Sequence, residues 1–254
     1  MANDLVRYEL TGAVARLTLN DPKTLNALST AMVDGLLAAL ARADGEARAV
    51  LLTGEGRGFC SGANLTQHDG GPIGGTLVSH YNPLMTALRD LPIPFVTAVN
   101  GAAAGIGCPL ALMGDLIIAG ESAYFLQAFS RIGLVPDGGS TWLLPRLIGR
   151  ARAMEMMLLG ERISASQALD WGLINRCVPD AELNDEATAL ANRLAQGPKS
   201  LALLRKLAWA GLEQNWATQI ALEYQTQTAA GRTADFLEGV GAFLQKREAK
   251  FTGS

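Results

Sequence analysis

Val99-Asn-Gly-Ala-Ala-Ala-Gly-Ile-Gly-Cys-Pro-Leu110 is the stretch on which the fold turns. A strand over Phe95–Asn100 ends in it, a turn of small residues follows, and an apolar helix is expected over Ile106–Met113. With Gly105 as the helix cap, Ile106, Gly107, Cys108 and Pro109 are the first four helical residues, whose N–H groups have no acceptor within the helix. Proline is harmless there because the donor it lacks would have been unpaired. The free donors at Ile106 and Gly107, with the positive end of the helix, suit a developing negative charge. The same residues also make an ordinary strand-to-helix turn with water on its donors.

Strand–loop–helix order extends to both sides. Leu5–Leu10 and Val14–Asn20 read as strands joined at Thr11-Gly12, Ser29 as the N-cap of a helix to about Arg42, and Ala49–Thr53 and Leu116–Ala119 as short buried strands. Between them, Gly54–Gly75 holds eight glycines in 22 residues, and a helix is expected over Leu77–Arg89. This alternation predicts an α/β fold. After Arg150 the chain reads as mostly helical: Ala151–Leu159, Ser164–Asp170, Asp180–Gln196, Pro198–Gln214, Ala217–Ala230 and Thr233–Lys250. Gly197-Pro198 is the natural boundary, dividing the chain into 1–197 and 198–254. The second part is too short for an easy core of its own, so it is expected to dock on the body or on another subunit.

Composition narrows the function classes. Of 254 residues, 49% are hydrophobic and 18% charged, enough for a large core. A net charge of −3 leaves no electrostatic footprint for nucleic acid. Two histidines, His68 and His80, argue against a histidine-rich metal site, and the three cysteines (Cys60, Cys108, Cys177) lack metal spacing and read as free thiols of a reducing compartment. The opening residues lack an apolar signal core, and the longest apolar run, Pro109–Ala119, carries Asp115 and is too short to cross a membrane. A soluble cytoplasmic protein is expected.

Two further segments could carry chemistry. Gly54-Glu-Gly-Arg-Gly-Phe-Cys-Ser-Gly-Ala-Asn-Leu65 follows a strand but does not complete a dinucleotide-binding pattern, since the glycine after Gly58 is Gly62. Its small residues would let a ligand approach main-chain N–H groups, or make it a surface loop. Ile132-Gly-Leu-Val-Pro-Asp-Gly-Gly-Ser-Thr-Trp142 is first a turn, and Asp137 gains interest only if that turn is buried beside the other two segments.

Together these segments resemble the crotonase, or enoyl-CoA hydratase/isomerase, superfamily. The resemblance rests on Pro22-Lys-Thr-Leu-Asn-Ala-Leu28, Gly58–Leu65, Val99–Gly107 and Gly133–Gly139, followed by Gly149–Met157 and Ala168–Ile174, in order along essentially the whole chain. It implies a spiral of β-β-α repeats over 1–197, which would hold the acyl-CoA site. It also implies a helical oligomerisation region over 198–254 that forms a homotrimer or a dimer of trimers. It implies acyl-CoA thioester substrates, no cofactor beyond the coenzyme A of the substrate, no metal, and an oxyanion hole made by the N–H groups of Ala63 and Ile106.

The chain departs from the hydratases at their two glutamate positions, which read Pro109 and Phe129 here. One carboxylate remains at a matching acid/base position, Asp137. The pattern is most similar to the isomerase of phenylacetate catabolism, which rearranges a ring epoxide of phenylacetyl-CoA and shifts double bonds. A dehalogenase branch uses an aspartate here as a nucleophile, but with a tryptophan where this chain has Phe129. Lys23, Leu25, Ser61, Asn64 and Leu65 match positions flanking the CoA moiety. Phe243 and Lys246 resemble a pair that closes the CoA site of a neighbouring subunit. The expected activity is acyl-CoA isomerisation. A hydratase with unusual acid/base groups and a non-catalytic acyl-CoA-binding protein are the alternatives.

Overall fold

The structure, a computed structural model, describes residues 5–64 and 73–254. Six strands form the main sheet: β1 (Val6–Thr11), β2 (Val14–Leu19), β3 (Ala49–Gly54), β5 (Phe95–Val99), β7 (Leu116–Gly120) and β10 (Arg176–Val178), in the spatial order β1-β2-β3-β5-β7-β10. The β1–β2 hairpin is antiparallel, with Val6 opposite Leu19, and turns at Gly12, whose φ is 59°. The other pairings are parallel. Strands β3 and β5 are buried at every residue, as parallel strands covered on both faces must be.

A second sheet runs β4-β6-β8-β9, from β4 (Gly58–Cys60), β6 (Ala102–Ala104), β8 (Tyr124–Leu126) and β9 (Arg162–Ser164). Each of β3-β4, β5-β6 and β7-β8 puts one strand in each sheet, which is the repeat of the crotonase spiral. The second sheet was not legible in the sequence. Its strands have three residues each, and two of them lie in stretches of small residues that carry no period.

Helix α1 (Thr30–Glu46) runs four residues past the expected end, and Ser29 caps it by accepting the Met32 N–H at 3.1 Å. The helix expected over Leu77–Arg89 is composite: α2 (Ile73–Thr76), a π-helical turn (Leu77–Tyr81) and α3 (Asn82–Asp90). Then come α4 (Gly107–Leu112), α5 (Ser140–Leu159), α6 (Ala165–Asp170), α7 (Leu183–Ala195), α8 (Ser200–Gly211), α9 (Trp216–Ala230) and α10 (Ala234–Gln245). Helix α5 begins eleven residues before the expected Ala151 and is kinked inside at Gly149 (φ 75°, ψ 160°). The main core lies between the sheets and α1, α3 and α5. A second cluster packs Leu183, Ala187 and Leu190 of α7 on Leu51, Val96 and Ile118 of the outer sheet face. Among the described residues no helix is long and apolar enough to cross a membrane.

Candidate active site

The first wall of the site is built from Asn26. Leu25 and Asn26 both take left-handed backbone, with φ of 55° and 59°. Asparagine tolerates that region better than most residues. The buried Asn26 amide donates to the carbonyls of Glu55 (3.0 Å) and Gly58 (2.7 Å) and accepts the Asp21 N–H (2.9 Å). Pro22–Leu28 is thereby fastened to the glycine-rich loop. The Ser61 N–H donates to the Leu25 carbonyl at 2.9 Å, and its hydroxyl donates to that of Thr24 at 2.7 Å. Leu28 then donates to the Gly62 carbonyl (2.7 Å) and accepts from the Asn64 N–H (3.2 Å). This bridge uses the groups on either side of Ala63 and leaves the Ala63 N–H on the opposite edge of its strand.

The second wall is the turn after β6. The helix starts one residue later than expected. Gly105, at φ 53°, belongs to the turn, and Ile106 (φ −65°, ψ −18°) is the cap of α4. A left-handed glycine leaves the strand too sharply to serve as an extended cap. Pro109 still falls in the first helical turn, where its missing donor does no harm. Gly105 N–H donates to Leu126 (2.9 Å) and Cys108 N–H to Gly105 (3.1 Å), and these bonds bypass the Ile106 N–H. The two walls touch through glycine. A Cβ on Gly107 would strike the Cys60 carbonyl, and one on Gly62, whose φ is 108°, would lie 3.0 Å from the Ala104 carbonyl.

The third wall carries Asp137, whose carbonyl accepts the Ser140 N–H at 3.0 Å where α5 begins. A Cβ on the adjacent Gly138 would lie 2.9 Å from both Ile106 Cγ1 and Pro109 Cγ. The aspartate turn therefore rests directly on the Ile106 turn.

These walls enclose a cavity of about 340 Å³ that Ala63, Ile106 and Asp137 line together with Ser61 and Asn64. Much of its remaining surface is apolar: Leu28, Leu77, Tyr81, Phe129, Ile132 and Leu134. Asp137 Oδ1 is buried with no hydrogen-bond partner among the described residues. Burial pushes the Asp137 carboxyl up to about 6, only partly opposed by its own backbone N–H. Burial, then the neighbouring charge of Asp137, pushes Tyr81 up to about 12, while its hydroxyl donates to the Leu28 carbonyl at 2.8 Å. Phe129 stands in the cavity wall and Pro109 is buried in α4; neither side chain can carry a proton.

The structure places the other expected residues as follows. Lys23 is exposed in the 3-10 turn Pro22–Thr24, and Leu25 is half-buried just after it. Leu25 is bonded to Ser61 through its carbonyl, and neither residue lines the cavity. Phe243, 82% exposed, lies on α10, and Lys246 ends that helix at φ 52°. Neither lines the cavity of its own protomer. Leu65 and His68 lie outside the described residues. His80 Nδ1 pairs with Ser79 Oγ at 2.7 Å, away from the cavity lining. Sequence reasoning missed Asn26 and Tyr81. An asparagine inside the Pro22–Leu28 motif was a usable signal for left-handed backbone. Tyr81 had none, because the π-helical turn that aims it has no sequence period of its own.

The family model described as enoyl-CoA hydratase/isomerase matches residues 9–254. The chain belongs to the enoyl-CoA hydratase/isomerase family. It is 48% identical over 256 residues to a Rhodobacter capsulatus protein named "probable enoyl-CoA hydratase", with all of both chains covered. It is 46% identical over 249 residues to the 1,2-epoxyphenylacetyl-CoA isomerase of Escherichia coli, covering 94% of this chain and 95% of that one. Among solved structures, an enoyl-CoA hydratase from Bacillus anthracis superposes with a TM-score of 0.93 at 32% identity, covering 98% of this chain and 100% of the other.

Proposed function

We propose that this enzyme is an acyl-CoA isomerase in which Asp137 is the only acid/base. The observation that carries the reading is the Asp137 carboxylate, with its raised pKa and its unpartnered oxygen, sharing one apolar cavity with the Ala63 and Ile106 turns. The thioester oxygen would sit between the Ala63 and Ile106 N–H groups. Asp137 would take a proton from one carbon of the enoyl chain. The electron pair left behind would spread over the conjugated carbons to that oxygen as a dienolate. Asp137 would then return the proton two carbons away. The net change moves a double bond and consumes nothing, so one base suffices. Each fixed N–H contributes about 2.7–4 kcal/mol to an oxyanion in comparable sites. The E. coli relative extends the candidate substrates to an epoxide of a ring-bearing acyl-CoA, whose rearrangement also conserves atoms.

Ser61, Asn64, Lys23 and Leu25 would flank the CoA moiety, and no other cofactor is invoked. Phe243 and Lys246 would close the site of a neighbouring subunit. The name of the Rhodobacter relative favours a second reading, hydration by an unusual arrangement. A screen of 3-enoyl, 2-enoyl and epoxy aryl-acetyl CoA thioesters, followed by mass and absorbance in D2O, separates the possibilities. Isomerisation leaves the mass of the skeleton unchanged and introduces exchanged deuterium. Water uptake selects the hydratase, and binding without turnover selects a non-catalytic protein. Either of the last two results overturns the proposal.

A further inference from the structure

Gln127 stands between β8 and the 3-10 turn that carries Phe129, and it is completely buried. Its Nε2 donates to the hydroxyl of Ser140 at 3.1 Å. Ser140 is also completely buried and is the first residue of α5, and its N–H closes the turn on the Asp137 carbonyl at 3.0 Å. The residue before Gln127, Leu126, accepts the Gly105 N–H at 2.9 Å, so the strand end that carries Gln127 is bonded to the turn that presents the second donor. Gln127 Oε1 is buried with no partner among the described residues. A buried amide satisfied on one side only is less stable than an apolar residue of the same shape, so its presence at this joint calls for another role.

We infer that Gln127 is a positioning residue: it follows Leu126, whose carbonyl holds the Ile106 turn at Gly105, and its buried amide ties that strand end to the Asp137 turn through Ser140, which sets the separation of oxyanion donor and base. The inference rests on the reading of Asp137 as the acid/base. Gly138, packed against Ile106 and Pro109, brings the two turns into contact, but that packing is apolar and allows sliding. The directional bonds from Gly105 to Leu126 and from Gln127 to Ser140 do not. Displacements well under 1 Å matter between a base and the carbon it deprotonates.

The test compares Gln127→Met, which keeps the shape and removes the amide, with Ser140→Ala and the double variant, using the substrate on which wild type turns over. Each single variant should lower kcat at least ~10-fold with KM within twofold, and the double variant should fall no further than the worse single one. A residue that only stabilises the fold would lower the melting temperature and leave kcat in place. Unchanged kcat in both single variants, or additive losses in the double, overturns the inference. If Gln127→Met does not fold, Ser140→Ala decides by the same split of kcat from KM. Asp137→Asn runs alongside. Wild-type turnover in that variant defeats the acid/base reading itself. An inactive Asp137→Asn beside fully active Gln127→Met and Ser140→Ala defeats only the positioning role.

Discussion

Asp137 sits in a turn where asparagine is sterically as acceptable as aspartate, so Asp137→Asn isolates the proton chemistry. The variant should lose roughly 10²–10⁴ in isomerisation rate, keep acyl-CoA binding, and stop incorporating solvent deuterium. Wild-type exchange in the variant would leave Asp137 as a turn residue. A base must be ionised to work, and burial holds this carboxyl at about 6. Wild-type kcat/KM should therefore rise with pH through a midpoint near 6 and level off above it. A flat profile between pH 5 and 7.5 would contradict the assignment. Stability should move the opposite way. The folded protein favours the neutral acid, so Asp137 contributes most below its unfolded pKa, and that contribution is lost as pH rises through about 6. Asp137→Asn should accordingly be at least as stable as wild type at pH 8, and its relative gain should shrink at pH 4. The identity of this residue was legible from one motif, Gly133–Gly139. Its environment was not, because the cavity around it is closed by Leu28, Tyr81 and Phe129 on separate segments.

At the scale of elements, α8 is held to the body by a group that the sequence did not single out. Arg205, 6% exposed, reaches under the helix to Asp115 at 2.8 Å and donates to the carbonyls of Leu88 (2.7 Å), Arg89 (2.6 Å) and Leu91 (2.6 Å). Asp115 also accepts the Phe95 N–H at 2.8 Å, at the start of β5. Burial raises the Asp115 pKa despite the facing guanidinium, so the carboxylate depends on that partner. Arg205→Leu would strip Asp115 of its counter-charge and the three carbonyls of their guanidinium donor in the interior. It should cost about 3–5 kcal/mol, read as a lowered urea midpoint. A change below about 1 kcal/mol would show that α8 docks by its apolar contacts alone. Trp209 one turn on stacks on Trp142 of α5, with centroids 6.1 Å apart. A helical sequence displays its apolar stripe but not which buried charge it will meet 90 residues away. For the same reason β3, β5 and β7 were legible as apolar runs. The three-residue strands of the second sheet exist only because each has a neighbour to pair with.

For the whole molecule, the last 57 residues are docked yet still present apolar surface. The chain end is tied back by Asp235, which accepts the N–H groups of Lys199 (2.8 Å), Thr252 (2.7 Å) and Gly253 (2.9 Å). Yet Trp216 is 80% exposed, and Leu204, Ile220, Leu237 and Leu244 stand in water on α8–α10. Leu204 and Ile220 line one groove with Leu207 and Tyr224, and apolar surface of this kind marks an interaction face. The proposed occupant is the same region of two further copies, giving a homotrimer or a dimer of trimers. Light scattering at micromolar concentration should give three or six times the 26.7 kDa chain mass. Replacing both Leu204 and Ile220 by Asp should lower that mass, because a buried unpaired carboxylate is far costlier than an exposed leucine. A wild-type monomer would reject assembly and, with it, the role of Phe243 and Lys246, neither of which lines the Asp137 cavity of its own protomer. Assembly and site completion are separable claims. Lys246→Ala in a correctly assembled protein should raise KM for the acyl-CoA with little change in kcat, since a point charge on a phosphate holds the ground state and transition state alike. An unchanged KM in that variant would mean that the copies associate without sharing the site.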